Sequence, residues 1–80
     1  MRLDKYLKVS RLMKRRTVAN EACDAGRVTV NGNVARASYE VKLGDVIAIT
    51  LGARTMRVKV TAITEYVTKE NAAELYTIEP

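Results

Sequence analysis

The chain has 80 residues, 48% of them hydrophobic and 29% charged, the composition of a folded domain near the lower size limit for an unstapled core. It has no histidine and one cysteine, which excludes a disulfide framework, a thiolate zinc cage and the usual neutral-pH proton shuttle. The formal net charge is +5, and seven cations (Arg2, Lys5, Lys8, Arg11, Lys14, Arg15, Arg16) stand against Asp4 alone in residues 1–16, whereas residues 65–80 are acidic.

Leu3, Tyr6 and Leu7 recur at helical spacing, so LDKYLKV (3–9) reads as a short amphipathic helix docked by one stripe. Residues 10–16 connect it to a second helix, with Leu12 and Met13 as anchors. Thr17 is a good N-cap for that helix, with Asn20 at the capping-box position. Val18, Ala22 and Ala25, widened by Ala19 and Cys23, form its expected buried stripe, and Gly26 ends it in a left-handed conformation.

The period then changes to two. Val28 and Val30 alternate with polar residues, and Asn31-Gly32 predicts a type I′ hairpin with Val34 on the returning strand. Tyr39 and Val41 suggest a short extended piece, and VIAITL (46–51) a strand buried on both faces or nearly so. RVKVTAI (57–63) alternates with Val58 and Val60 inward, and Thr68 caps a short helix running to Leu75. Two helices followed by strands and a short helix predict an α+β domain with a small antiparallel sheet.

The chemistry lies in the cations. A run of like charges is commonly a solvated face, yet seven cations in sixteen residues on a helix–turn–helix frame suit a line of phosphates. Arginine adds bidentate geometry that lysine lacks. Asp4 is expected to pair with Lys8 or a loop arginine and orient it. The Asn31-Gly32-Asn33 tip can add contacts to sugar or phosphate, with Gly32 serving the turn. Cys23 reads as a small core residue, since no histidine can activate it. Four scattered tyrosines do not make a base-stacking platform, so structured RNA is favoured over splayed bases. No metal-spaced set, cofactor loop or activated nucleophile is visible, so neither cofactor nor enzymatic activity is expected. The charged N-terminus is unlike a signal peptide and the apolar runs are too short for a bilayer span, so a cytoplasmic protein without membrane contact is expected.

RLDKYL (2–7), SRLMKRRTVANEACDAGRVTVNG (10–32) and VKLGDVI (41–47) together resemble the S4 RNA-binding domain. Within that family the chain is similar to the short, stand-alone RqcP group of bacterial ribosome-associated quality control. ENAAELYTI (70–78) extends the likeness to the tail. The resemblance implies a two-helix αL motif on a small sheet, with a core motif over 1–50 of a single domain 1–80. It also implies binding to the free large ribosomal subunit, touching its rRNA and the peptidyl-tRNA together. The tRNA would be held in the peptidyl site while a partner factor adds C-terminal alanines. Arg2, Arg11, Arg15 and Arg16 would be the main contacts, with Asp4 and Lys5 nearby, in a monomer. A longer heat-shock relative carries a basic C-terminal helix; this chain ends acidic, so contacts made there do not carry over. The alternative is an accessory module whose basic face docks an acidic protein.

Overall fold

The computed structural model describes residues 1–68 and 70–79. Helix α1 spans Leu3–Val9 and α2 Arg16–Asp24. Strands β1 (Val28–Val30), β2 (Asn33–Val34), β3 (Val46–Leu51) and β4 (Arg54–Val60) follow, then a 3-10 helix at Ala72–Leu75 and β5 (Tyr76–Glu79). The sheet order is β2-β1-β3-β4-β5, every neighbour antiparallel. The α+β class is as expected.

The turns follow from backbone chemistry. Val30 faces Asn33 across a two-residue turn, and both central residues have positive φ (Asn31 52°, Gly32 87°), the type I′ geometry that Asn-Gly favours. At the end of α2 the Gly26 amide donates to the Cys23 carbonyl and the Arg27 amide to the Ala22 carbonyl. With Gly26 at φ 74°, this is a Schellman closure at the predicted residue.

Leu3, Tyr6 and Leu7 are fully buried, as their spacing predicts, against Val28, Ile47, Ile49, Val58 and Val60 from the sheet. The Tyr6 hydroxyl donates to the Leu75 carbonyl at 2.7 Å inside this core, tying the first helix to the end of the 3-10 helix. Removing it as Tyr6→Phe forfeits about 1 kcal/mol, or roughly 4–8 °C of melting temperature in a domain this small. A thermal melt followed by circular dichroism reads the shift, and an unchanged midpoint would contradict it.

Several expectations are corrected. No side chain caps α2, which begins at Arg16 with Arg15 in the cap position, so Thr17 lies inside the first turn. The Asp4 carboxylate reaches over from α1 to the side chains of Arg16 and Asn20 in the first turns of α2. On α2, Ala19 and Cys23 face the core, whereas Val18 and Ala25 are exposed and Ala22 half-buried. Small residues at the contact let α2 approach closely, which rotates the predicted stripe outward. Strand β3 is buried on one face only, through Ile47 and Ile49, while Thr50 and Leu51 face solvent. Residues 39–41 form only an isolated bridge, Arg2 opposite Glu40. The C-terminal helix is the four-residue 3-10 segment, shorter than predicted; Thr68 and Asn71 exchange side-chain hydrogen bonds just before it. The chain then continues as a strand, because β4 offers Tyr76–Glu79 a free edge.

Candidate nucleic-acid interface

The site is organised by one buried carboxylate. Asp4, whose side chain is 3% exposed, accepts from Arg2 Nε at 3.2 Å and Arg2 Nη2 at 3.4 Å, and forms an ion pair with Arg16 Nε at 3.3 Å. Asn20 Nδ2 at 3.3 Å and the Lys5 amide at 2.8 Å complete its shell. Burial pushes its carboxyl up, but the bonds from Asn20, Arg16 and the Lys5 amide outweigh this and hold it below the usual carboxylate range. Asp4 therefore stays ionised and holds two guanidinium groups side by side. Both arginine side chains nonetheless remain about half exposed, 49% and 48%. Of the two expected kinds of partner, Lys8 takes no part and arginine does, and the pairing leaves both arginines about half exposed.

Asn20 borders two shallow hollows, one with Asp4, Arg16 and Thr17 and the other with Arg2, Arg36 and Ser38. A continuous face thus runs from Arg16 through Arg2 to Arg36. Arg36 was absent from the predicted set, although the Ala35-Arg36-Ala37 alternation, with both alanines buried, signals it.

The remaining predicted residues divide. Lys5 is ion-paired with Glu65, sixty positions away, a contact that local sequence cannot show. Lys8 and Arg11 are exposed and, among the described residues, carry no ion pair. Arg11 has a φ of 63° and follows Ser10, the last residue capping α1, so it fills a position that normally favours glycine. Lys14 and Arg15 lie on another side of α2, bordering a groove with Val18 and Ala22. The seven cations are therefore not one line.

The Asn31 side chain is used internally. Its Nδ2 donates to Asp45 Oδ1 at 3.1 Å and its Oδ1 accepts from the Val46 amide at 3.0 Å. Buried Asp45 also accepts from the Tyr39 hydroxyl and the Lys42 amide. Asn31 thus shapes the hairpin tip, and what the tip can offer a ligand is main chain and Asn33. Cys23 is buried, and burial, with Asp4 and Asp24 nearby, pushes its thiol up to about 11, in keeping with a core residue.

The S4 domain family model matches residues 1–47, more than half of the chain. The chain belongs to the S4-domain family. Over 79 residues this S4-domain protein is 54% identical to the RQC P-site tRNA stabilizing factor of Halalkalibacterium halodurans, covering 99% of this chain and 90% of that one. The factor of the same name from Bacillus subtilis is 51% identical over 78 residues, covering 98% and 91%. A stabilizing factor with an S4 domain is a non-catalytic kind of protein. Among solved structures, the trimeric Heat Shock Protein 15 of Vibrio cholerae matches with a TM-score of 0.91 at 29% identity, over 99% of this chain and 81% of that one. A hypothetical protein solved in solution matches at 0.85 and 32% identity, over 100% and 98%. The S4 fold thus extends past the matched family segment to β4 and β5. No described helix is long and apolar enough to cross a membrane.

Proposed function

We propose that this protein is a non-catalytic RNA-binding factor of bacterial ribosome-associated quality control, working in the cytoplasm as one RNA-binding unit over residues 1–80. It binds the free large subunit that still carries peptidyl-tRNA, touches rRNA and tRNA together, and steadies the tRNA in the peptidyl site during C-terminal alanine tailing by a second factor. The observation that carries this reading is the Arg2–Asp4–Arg16 clamp, in a chain 54% identical to a factor of that name. Two guanidinium groups held by one carboxylate offer bidentate donors to backbone phosphates, and holding them in advance lowers the ordering cost of binding. Arg36 extends the clamp, and Arg11 and Lys8 add attraction from the α1 end. Lys14 and Arg15 raise the potential further.

Electrostatic contact of this kind is steep in salt. Neutralising about five phosphates gives a log–log slope on the order of −4 for affinity against salt concentration. Titrating the protein onto purified large subunits bearing peptidyl-tRNA, at several ionic strengths, measures it. A flat dependence would remove the electrostatic basis of the proposal.

A further inference from the structure

The outward rotation of α2 leaves an apolar surface uncovered. A groove of about 680 Å³ is floored by Leu12, Met13, Val18 and Ala22, and it ends at Leu51. Leu51 also borders a second hollow of about 460 Å³ containing Met56 and Ile78. Val18, Leu51 and Ile78 are 47%, 55% and 63% exposed, so the two hollows make one apolar track from α2 across the β3–β4 turn to β5. Its rim is charged with one sign in excess. Lys14, Arg15 and Arg27 flank the first hollow and Arg54 and Arg57 the second, against Glu21 and Glu79.

We propose that this track seats a segment of a protein partner in which large aliphatic side chains are flanked by Asp or Glu. The floor sets the first requirement, because exposed aliphatic groups gathered in a trough gain most from burying similar groups. The rim sets the second through charge complementarity, which also steers the encounter. RNA is the poorer occupant, since the aliphatic floor of Leu12, Met13, Val18, Leu51, Met56 and Ile78 offers a phosphate backbone no partner. The track meets the hollow of the Asp4 clamp only at Glu21, with Arg16 and Asn20 lining the clamp side and Val18 and Ala22 the track side. The protein can therefore hold RNA on one side and an acidic-aliphatic segment on the other.

The test uses the full-length protein and a displayed library of random short peptides, counter-selected against a Val18→Gln/Leu51→Gln variant. Both side chains are about half exposed, so the variant keeps its fold, and a thermal melt checks this; Leu51→Gln alone is the fallback. Enriched peptides are expected to combine Leu, Ile or Met with Asp or Glu and to bind wild type at least about tenfold tighter than the variant. Replacing their acids with amides is expected to weaken them further and to flatten their salt dependence. Large-subunit affinity of the variant should stay within about twofold of wild type, which separates this proposal from the RNA reading. Absence of enrichment, or enrichment of basic peptides, overturns the proposal. So does a variant that loses subunit binding instead, which would assign the track to RNA, or a wild-type dimer that the variant abolishes, which would assign it to a second copy.

Discussion

Replacing Asp4 with alanine is expected to lower affinity for the large subunit about tenfold while making the protein more positive. The two effects oppose each other, and their balance is diagnostic. If net charge alone governed binding, one fewer carboxylate would tighten it at low salt. In the structure, however, Asp4 holds Arg2 and Arg16 on one carboxylate. Without it two like charges repel, the guanidinium groups separate, and their ordering must be paid during binding. The fold suffers as well. Charge-assisted bonds to both arginines are lost, and the half-buried Asn20 amide and the Lys5 amide lose their acceptor, a total of about 2–3 kcal/mol after allowing for the exposure of the arginines. That corresponds to roughly 10–20 °C in melting temperature. Asp4→Asn retains shape and one acceptor, so it should recover part of the stability and little of the affinity. Tighter binding by Asp4→Ala at low salt would show that the clamp is not preorganised for RNA.

The same carboxylate gives a pH signature. Its folded pKa is depressed, so its contribution is present above the unfolded value, near pH 4, and is lost as pH falls through the folded one. Wild type should therefore weaken below about pH 4, and Asp4→Asn should lose that share of acid sensitivity. The share of Asp45 remains, since that carboxyl too is held low: burial raises it, and the Lys42 amide, Tyr39 and Asn31 more than offset the rise. Acid titration of both proteins by circular dichroism separates the two groups.

The second large effect concerns Arg11, where stability and binding should move in opposite directions. At φ 63° its backbone stands in the left-handed region, where glycine is unstrained and other residues lose roughly 1 kcal/mol or more. Arg11→Gly gives part of this gain back to the unfolded chain, leaving about 0.5 kcal/mol of net stabilisation and a few degrees in melting temperature. It also removes one cation of the proposed RNA interface, so affinity should fall severalfold and the salt slope should flatten by about 1. A strained residue that improves the fold when removed and harms binding is retained for function. Arg11→Lys keeps the strain and the charge and should change neither greatly. A loss of stability in Arg11→Gly would mean that the arginine is a structural residue.

The range of the forces involved decides which features the sequence revealed and which it hid. The α1 stripe, the Asn31-Gly32 hairpin and the Gly26 stop are local, and each lies where its residues predict. The start and orientation of α2 are not local. No side chain caps its start where Thr17 is expected to, and Ala19 and Cys23, rather than Val18 and Ala25, turn inward. Strand β5 was hidden for a similar reason: YTIE alternates weakly, and the β4 edge supplies the order. In the site, the concentration of cations was legible from composition. Its division into a clamp and a groove rim was not, because consecutive residues such as Arg15 and Arg16 diverge around a helix whose rotation only packing sets.

The hydrogen bond between Tyr6 and Leu75 joins residues far apart in the chain and bears on synthesis as well as stability. Translation proceeds from the amino end, so the helix bearing Asp4 and Lys8 leaves the exit tunnel long before its anchor exists. Until Leu75 has emerged, the Tyr6 hydroxyl lacks its acceptor and the core its last buried leucine, so the domain closes late in its own synthesis.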